Sequence, residues 1–267
     1  MPNILVLGER FIDRYHIGTS TSHSAEVDIP VVKIERTLDL PGGAGNVAAN
    51  LRALGANVLH MYPPGHWPVK NRLMVGDTQL ARWDVDDSVD PYTETILNGI
   101  SCRNGGLKWF DGVVISDYCK GAITNETITW IDRHFPKIPL FIDTKRDPNL
   151  FPDRATFFPN RKEYFQYPKH YDRLNVVFKD SERGLHYNKA GKVIVGCPAL
   201  ARNVVSPNGA GDSVLSAWVY KCLVPGDRPD TIEDIVRFTS IAAAIAVSKP
   251  YTSTVTLKEI EDFDHTT

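Results

Sequence analysis

Asn208-Gly209-Ala210-Gly211-Asp212 is the stretch whose residue types most clearly suit chemistry. Three consecutive small residues let the backbone come close to a ligand. Val214, Leu215, Trp218, Val219 and Cys222 follow in an i, i+1, i+4, i+5, i+8 stripe and predict a helix that opens here. The N–H groups of Gly209, Ala210 and Gly211 then leave a helix N-terminus, where the dipole favours anions. A phosphoryl group in transfer spreads negative charge over its oxygens, and aimed donors stabilise it. A carboxylate beside such an anion hole suits a base for an attacking hydroxyl, which is the role Asp212 would take. The same five residues would equally make a glycine-rich cap with Asp212 well placed in the first turn. The pentapeptide alone leaves both readings open.

Pro41-Gly42-Gly43-Ala44-Gly45-Asn46 is a second small-residue segment, read as a glycine-rich loop. Val47, Leu51 and Leu54 recur after it at helical spacing, and Gly55 fits the position just past a helix end. Gly43-Ala44-Gly45-Asn46-Val47-Ala48 also matches the dinucleotide pattern G-x-G-x-x-A. That motif needs a strong strand before it and a carboxylate at the end of the next strand. Arg36-Thr37-Leu38-Asp39-Leu40 is a poor core strand, and Tyr62-Pro63-Pro64 stands where the carboxylate belongs. The P-loop pattern G-x-x-x-x-G-K-[ST] does not occur.

The elements that must hold these segments alternate in type. Apolar runs at residues 4–7, 58–61, 113–115, 139–142, 157–158, 176–178 and 193–195 predict strands. Residues 124–134 and 232–247 predict helices between and after them. Alternating strands and helices predict a mostly parallel sheet covered on both faces, a three-layer α/β/α domain. Residues 11–18, 29–34, 72–75 and 79–83 are β-rich but break the alternation, with a hydroxyl-rich turn expected at 19–24. They predict a small β-sheet lid, formed by about 11–36 and 70–84, over the ligand edge of a single domain spanning 1–267.

Composition narrows the partners. The 267 residues carry a net charge of -2, so the overall field favours neither nucleic acid nor an anionic membrane. No apolar run approaches the roughly 20 residues needed to span a bilayer. The first residues enter a strand-like run without a basic n-region or cleavage signal, from which a cytoplasmic location is expected. Cys102, Cys119, Cys197 and Cys222 are far apart and form no C-x-x-C pair, so reduced thiols are expected.

A glycine-rich G-A-G-D at the start of a C-terminal helix, preceded far upstream by a G-G-x-x-x-N loop, resembles the ribokinase/PfkB sugar kinases. The likeness is greatest to the D-glycero-D-manno-heptose 7-phosphate kinases. Phe11-Ile12-Asp13-Arg14-Tyr15, Ser116-Asp117-Tyr118-Cys119-Lys120-Gly121, Ile142-Asp143-Thr144-Lys145, Pro159-Asn160-Arg161-Lys162-Glu163 and Thr252-Ser253-Thr254-Val255 carry it. The resemblance extends over nearly the whole chain. It implies a ribokinase-like fold and transfer of phosphate from ATP, with Mg²⁺, to a hydroxyl of a sugar or sugar phosphate.

Site roles follow from the same resemblance. Asp212 would be the catalytic base, and Gly209, Ala210 and Gly211 the anion hole. Asp13, Gly42, Gly43, Asn46, Lys70, Arg72 and Lys145 would bind the substrate, with Lys70 and Arg72 holding a phosphate. Asn160, Glu163, Lys179 and Asn208 would lie at the nucleotide, with Glu163 reaching Mg²⁺ through water. A homodimer paired through the lid is expected.

Three departures from the family pattern stand out. Ser206 and Asn208 replace the Asp and Thr of D-x-T-G-A-G-D. Lys179-Asp180 and Ser22 stand where relatives carry other residues. About one strand–helix unit is missing after Val58, and the region around 164–174 is trimmed. A catalytically degenerate sugar- or nucleotide-binding protein of the same fold is the alternative these departures raise.

Overall fold

The computed structural model describes residues 1–86, 88–101, 106–224 and 230–264. Its first strand, β1 (Asn3–Gly8), explains the layering. Successive side chains of a strand point to opposite faces. Ile4 and Val6 enter one hydrophobic core and Leu5 and Leu7 another, all of them fully buried. A strand apolar on both faces needs helices above and below it.

The chain continues through β2 (Arg10–His23), β3 (Pro30–Gly43), α1 (Ala44–Ala53), β4 (Asn57–Met61), β5 (Val69–Val75) and β6 (Thr78–Val85). Then come α2 (Glu94–Ser101), β7 (Gly112–Asp117), α3 (Asn125–His134), β8 (Leu140–Thr144), β9 (Thr156–Phe157), α4 (Arg161–Gln166) and α5 (Pro168–Tyr171). The last elements are β10 (Asn175–Lys179), β11 (Leu185–Lys189), β12 (Lys192–Cys197), α6 (Ala210–Leu223), α7 (Ile232–Ser248) and α8 (Leu257–Asp264).

The main sheet has eight strands in the order β12-β11-β10-β9-β8-β7-β1-β4. From β4 to β10 every neighbouring pair is parallel, and β11 and β12 add an antiparallel edge. On one face α1, α6, α7 and α8 contribute Val47, Leu51, Leu215, Trp218, Ile241 and Ile260 to the core. On the other, α2 and α3 contribute Leu97, Ile100, Ile128 and Ile131. This is the expected three-layer arrangement. Ligands of such sheets sit beyond the carboxyl ends of the parallel strands. Here those ends are Gly8, Asp117, Thr144 and Lys179.

The second sheet has four strands in the order β3-β2-β5-β6 and begins immediately after β1. Two local expectations change. The hydroxyl-rich residues 19–22 are strand, because antiparallel pairing of β2 with β3 continues to His23 opposite Pro30, through two bulges. Threonines and serines fit this outer, largely exposed part of the strand. The turn falls instead at residues 24–29. Likewise Pro41, Gly42 and Gly43 are not loop but the paired end of β3, and α1 starts at Ala44. A Cβ at Gly42 would lie 2.4 Å from the Phe11 ring, so the strand can pack there only with glycine.

The chain passes from β4, the edge of the main sheet, directly into β5 of the second sheet. Among the described residues no helix is long and apolar enough to cross a membrane. Cys119, Cys197 and Cys222 are free thiols; Cys102 lies outside the described residues.

Candidate active site

Asp212 sits in the first turn of α6 and is almost fully buried. Asn46 Nδ2 donates to its Oδ2 at 2.8 Å, and the Tyr118 hydroxyl donates to its Oδ1 at 2.9 Å. Asn46 is oriented in turn. Its Oδ1 accepts from Asn50 Nδ2 at 3.1 Å, which turns its own amide hydrogens toward Asp212. Asn50 is held by donation from Ser213 and from the Val255 backbone. Burial pushes the Asp212 carboxyl up to about 6, aided by the Asp143 charge and opposed by the two hydrogen bonds and Lys179. That places the group where a general base works best near neutral pH.

Gly209 is the N-cap of α6 and takes a left-handed φ of +79°. The side-chain amide of the preceding Asn208 makes no cap and lies 3.4 Å from the Tyr15 hydroxyl. A Cβ on Gly209 would come within 2.8 Å of Asn46 Nδ2, so this glycine also makes room for the asparagine that holds Asp212.

A cavity of about 810 Å³ opens beside the helix end. Its polar end is formed by Asp143, Lys145, Asn160, Glu163, Lys179, Gly209, Ala210, Gly211 and Asp212. Leu200, Val204, Ala243 and Val247 make its other end apolar. Lys179 Nζ pairs with Asp143 at 2.6 Å. Asn160 and Glu163 cap α4 reciprocally: Asn160 Oδ1 accepts from the Glu163 N–H, and Glu163 Oε2 accepts from the Asn160 N–H. Burial and nearby Asp143 raise the Glu163 carboxyl.

Asp13, Gly42, Gly43, Asn46, Lys70, Arg72 and Asn208 do not line this cavity. Of these, Asp13, Arg72 and Asn208 join Thr252 and Tyr15 in a second network. Arg72 donates to Asp13 Oδ1 at 2.9 Å, with both side chains buried. Thr252 donates to Asp13 Oδ2 at 3.2 Å and shares a 2.9 Å hydrogen bond with Tyr15. Arg72 Nε is buried without a hydrogen-bond partner. Lys70 Nζ lies 3.3 Å from the Phe11 ring centre, and burial brings its pKa down to about 7. The residues singled out from the sequence thus fall into two groups that meet at Asp212.

Tyr118, Glu9, Asp143, Tyr15 and Thr252 were not among the candidate site residues. Glu9 is fully buried, and its carboxylate accepts the backbone N–H groups of Tyr118, Lys120 and Ala122 at 2.7, 3.1 and 3.2 Å. The usable signal was positional. Glu9, Tyr118 and Asp143 each stand at or just after the end of a core strand, where an α/β sheet places its ligands.

The site fits Mg²⁺ and ATP in kind. The N–H groups at the α6 terminus suit phosphate, and the apolar end suits an aromatic base. Among the described residues no three His, Cys, Asp or Glu side chains cluster to hold a metal. A magnesium ion would therefore be held by phosphate oxygens and water, within reach of Asp143 and Glu163.

Residues 159–259 match the pfkB family of carbohydrate kinases. Bifunctional protein HldE of Nitratiruptor sp. is 27% identical over 98% of this chain and 65% of its own length. The protein of that name from Stutzerimonas stutzeri is 29% identical over 96% of this chain and 62% of its own. The chain thus spans less than two thirds of the length of these curated relatives. Phosphofructokinase-2 of Escherichia coli superposes with a TM-score of 0.71 at 16% identity, covering 98% of this chain and 97% of that one. Ribokinase of Thermotoga maritima superposes at 0.68, 16% identity and 99% of both chains. The chain thus shares the three-layer fold of these solved kinases, and its residues 159–259 are similar to the pfkB family of carbohydrate kinases.

Proposed function

We propose that the protein transfers the γ-phosphoryl group of ATP to a hydroxyl of a sugar or sugar phosphate, of the heptose 7-phosphate kind, with Asp212 as general base. One observation carries this reading most. A buried carboxylate, its plane fixed by Asn46 and Tyr118, stands in the wall of the cavity beside Gly209, Ala210 and Gly211 at the α6 terminus. Bound ATP and Mg²⁺ supply the phosphoryl group and neutralise part of its charge. The chain's residues do the rest. Gly209, Ala210 and Gly211 offer N–H groups to the transferring oxygens. Asp13 is held by Arg72 as a fixed acceptor for sugar hydroxyls, and Lys70, over the Phe11 ring, is the cation for an anionic group. Asp212 takes the proton of the attacking hydroxyl. The lid keeps water, a competing acceptor, away from the phosphoryl group.

ADP release from MgATP against a panel of sugars and sugar phosphates, including heptose 7-phosphate, tests the reading. Turnover that disappears in Asp212→Asn supports it. Ligand-induced thermal shifts without turnover on any acceptor would leave the degenerate binding protein as the better account.

Gly209→Ala probes the helix end. The left-handed φ and the approach to Asn46 both oppose a methyl group. We expect a loss of about 1–2 kcal/mol in stability and at least about a tenfold fall in kcat, since Asn46 must move off Asp212. Unchanged kcat would show that the Asn46 contact is dispensable.

The lid carries the remaining proposal, a homodimer. Val31, Ile34, Leu80, Trp83 and Val85 are each at least 41% exposed on its strands. Pairing with a second copy would cover them and the free strand edges. Sedimentation should give about twice the 29.8 kDa chain mass, falling to the monomer in Val31→Asp/Ile34→Glu. A wild-type monomer at micromolar concentration would overturn the dimer.

A further inference from the structure

We infer that Tyr118 is the positioning residue of the site: its hydroxyl orients Asp212 while its ring holds Lys70 and Lys145 apart but on one platform. The inference rests on Asp212 being the base. The hydroxyl donates to Asp212 Oδ1 at 2.9 Å, and Phe11 meets the ring edge to face at 89° with centroids 4.9 Å apart. Lys70 Nζ lies 4.8 Å and Lys145 Nζ 4.9 Å from the ring centre. Lys70 comes from lid strand β5, Lys145 from the turn after β8 and Asp212 from α6, so three separate elements converge on one side chain.

The residue is itself firmly placed. Its backbone N–H is taken by buried Glu9, which also accepts from residues 120 and 122. Next to it Cys119 is held at φ +60°, a conformation that persists only where surrounding contacts enforce it. Burial, together with Asp212 and Asp143, keeps the phenol well above its ordinary range, so the hydroxyl remains a donor. A carboxylate has about four lone-pair sites. Asn46 and Tyr118 each use one, on different oxygens, and the others stay free for an acceptor hydroxyl. The negative ring face attracts both ammonium groups, which would otherwise repel each other. Removing the hydroxyl and removing the ring should therefore do different things.

The groups facing Asp212 are Asn46 from α1, Asp143 at the end of β8 and Lys179 at the end of β10. Asp13, Lys70 and Lys145 surround the tyrosine. The test follows Asp212 directly. Protein labelled with ¹³C at aspartate carboxyl carbons is titrated by NMR, the Asp212 signal being the one missing in Asp212→Asn. Its midpoint should lie near about 6 in the wild type. Tyr118→Phe removes a donor that favours the ionised form, so the midpoint should rise by about one pH unit with the melting temperature little changed. In ADP release with MgATP and heptose 7-phosphate, the acid limb of kcat should move by the same amount while KM stays within about twofold. Tyr118→Leu should in addition raise KM several-fold, because Lys145 loses its ring and Lys70 keeps only that of Phe11.

An unmoved Asp212 midpoint in Tyr118→Phe would overturn the inference and reduce Tyr118 to packing, whatever the rates. Undiminished turnover in Asp212→Asn would instead overturn the base assignment, and the carboxyl titration would still report the hydrogen bond. The titration needs no turnover, so it decides the inference even if this acceptor is not used.

Discussion

Asp212→Asn is expected to lower kcat by at least about a hundredfold, in the range of a lost general base, and to leave the protein more resistant to unfolding at pH 8. The two effects share a cause. The folded carboxyl ionises near about 6, against 3.8 in an unconstrained chain, because burial strips water from the charge. Stability tied to this group is present below about pH 3.8 and is lost as pH rises through about 6. At pH 8 the folded state carries a penalty of up to about 3 kcal/mol that a neutral isostere avoids. Asparagine can keep both contacts. Its oxygen accepts from Asn46, and its amide donates to the Tyr118 hydroxyl, which is able to accept. Urea unfolding of both proteins at pH 8, set beside their rates, checks the pair of effects. A dead variant that is also much less stable would point to misfolding rather than a lost base.

The pH profile of the wild type follows from the same geometry. With Asp212 as the proposed base, activity is expected to fall as pH drops through about 6. Lys70 loses its charge as pH rises through about 7, so an anionic acceptor is held less well above that. The optimum should therefore be narrow. Substituting Lys70 by glutamine should flatten the basic limb of KM without moving the acid limb of kcat.

What was legible in the sequence was the part written in local pattern. Ile4 to Leu7 and Val113 to Ile115 are apolar at every position, and such runs are consistent with strands buried on both faces. The segment from Asn208 to Asp212 joins glycines, a helix start and a carboxylate within five residues, so its chemistry could be argued without a fold. The misplaced turn at 19–24 shows the limit of composition. Hydroxyl residues favour turns, but here partner strand β3 pairs with them, and tertiary pairing decides. The roles of Tyr118 and Glu9 depend on separations of 94 and 109 residues, and no periodicity encodes such contacts. Lys70 and Arg72 are buried among partners far off in sequence, Lys70 against the Phe11 and Tyr118 rings and Arg72 on Asp13.

Arg72→Met should destabilise the fold by about 3 kcal/mol or more, the usual consequence of removing one partner of a buried ion pair. Asp13 and Arg72 are exposed by only 7% and 8% at their side chains, and their contact is 2.9 Å. Methionine fills much of the arginine's volume, so the loss measures charge rather than a cavity. What remains around Asp13 is a 3.2 Å hydrogen bond from Thr252 and the partial charge of Lys70 nearby. Asp13→Asn/Arg72→Met should recover much of the loss, because neither residue then leaves a bare charge, and a double-mutant cycle measures this coupling. Equal penalties in the single and double variants would mean that Arg72 stabilises through its stem, packed near the Tyr15 ring, and not through Asp13. Recovery of stability without recovery of sugar binding would separate the two uses of the pair. The ion pair bridges the lid's inner strands β2 and β5, and on the proposed function its carboxylate is the acceptor for a sugar hydroxyl.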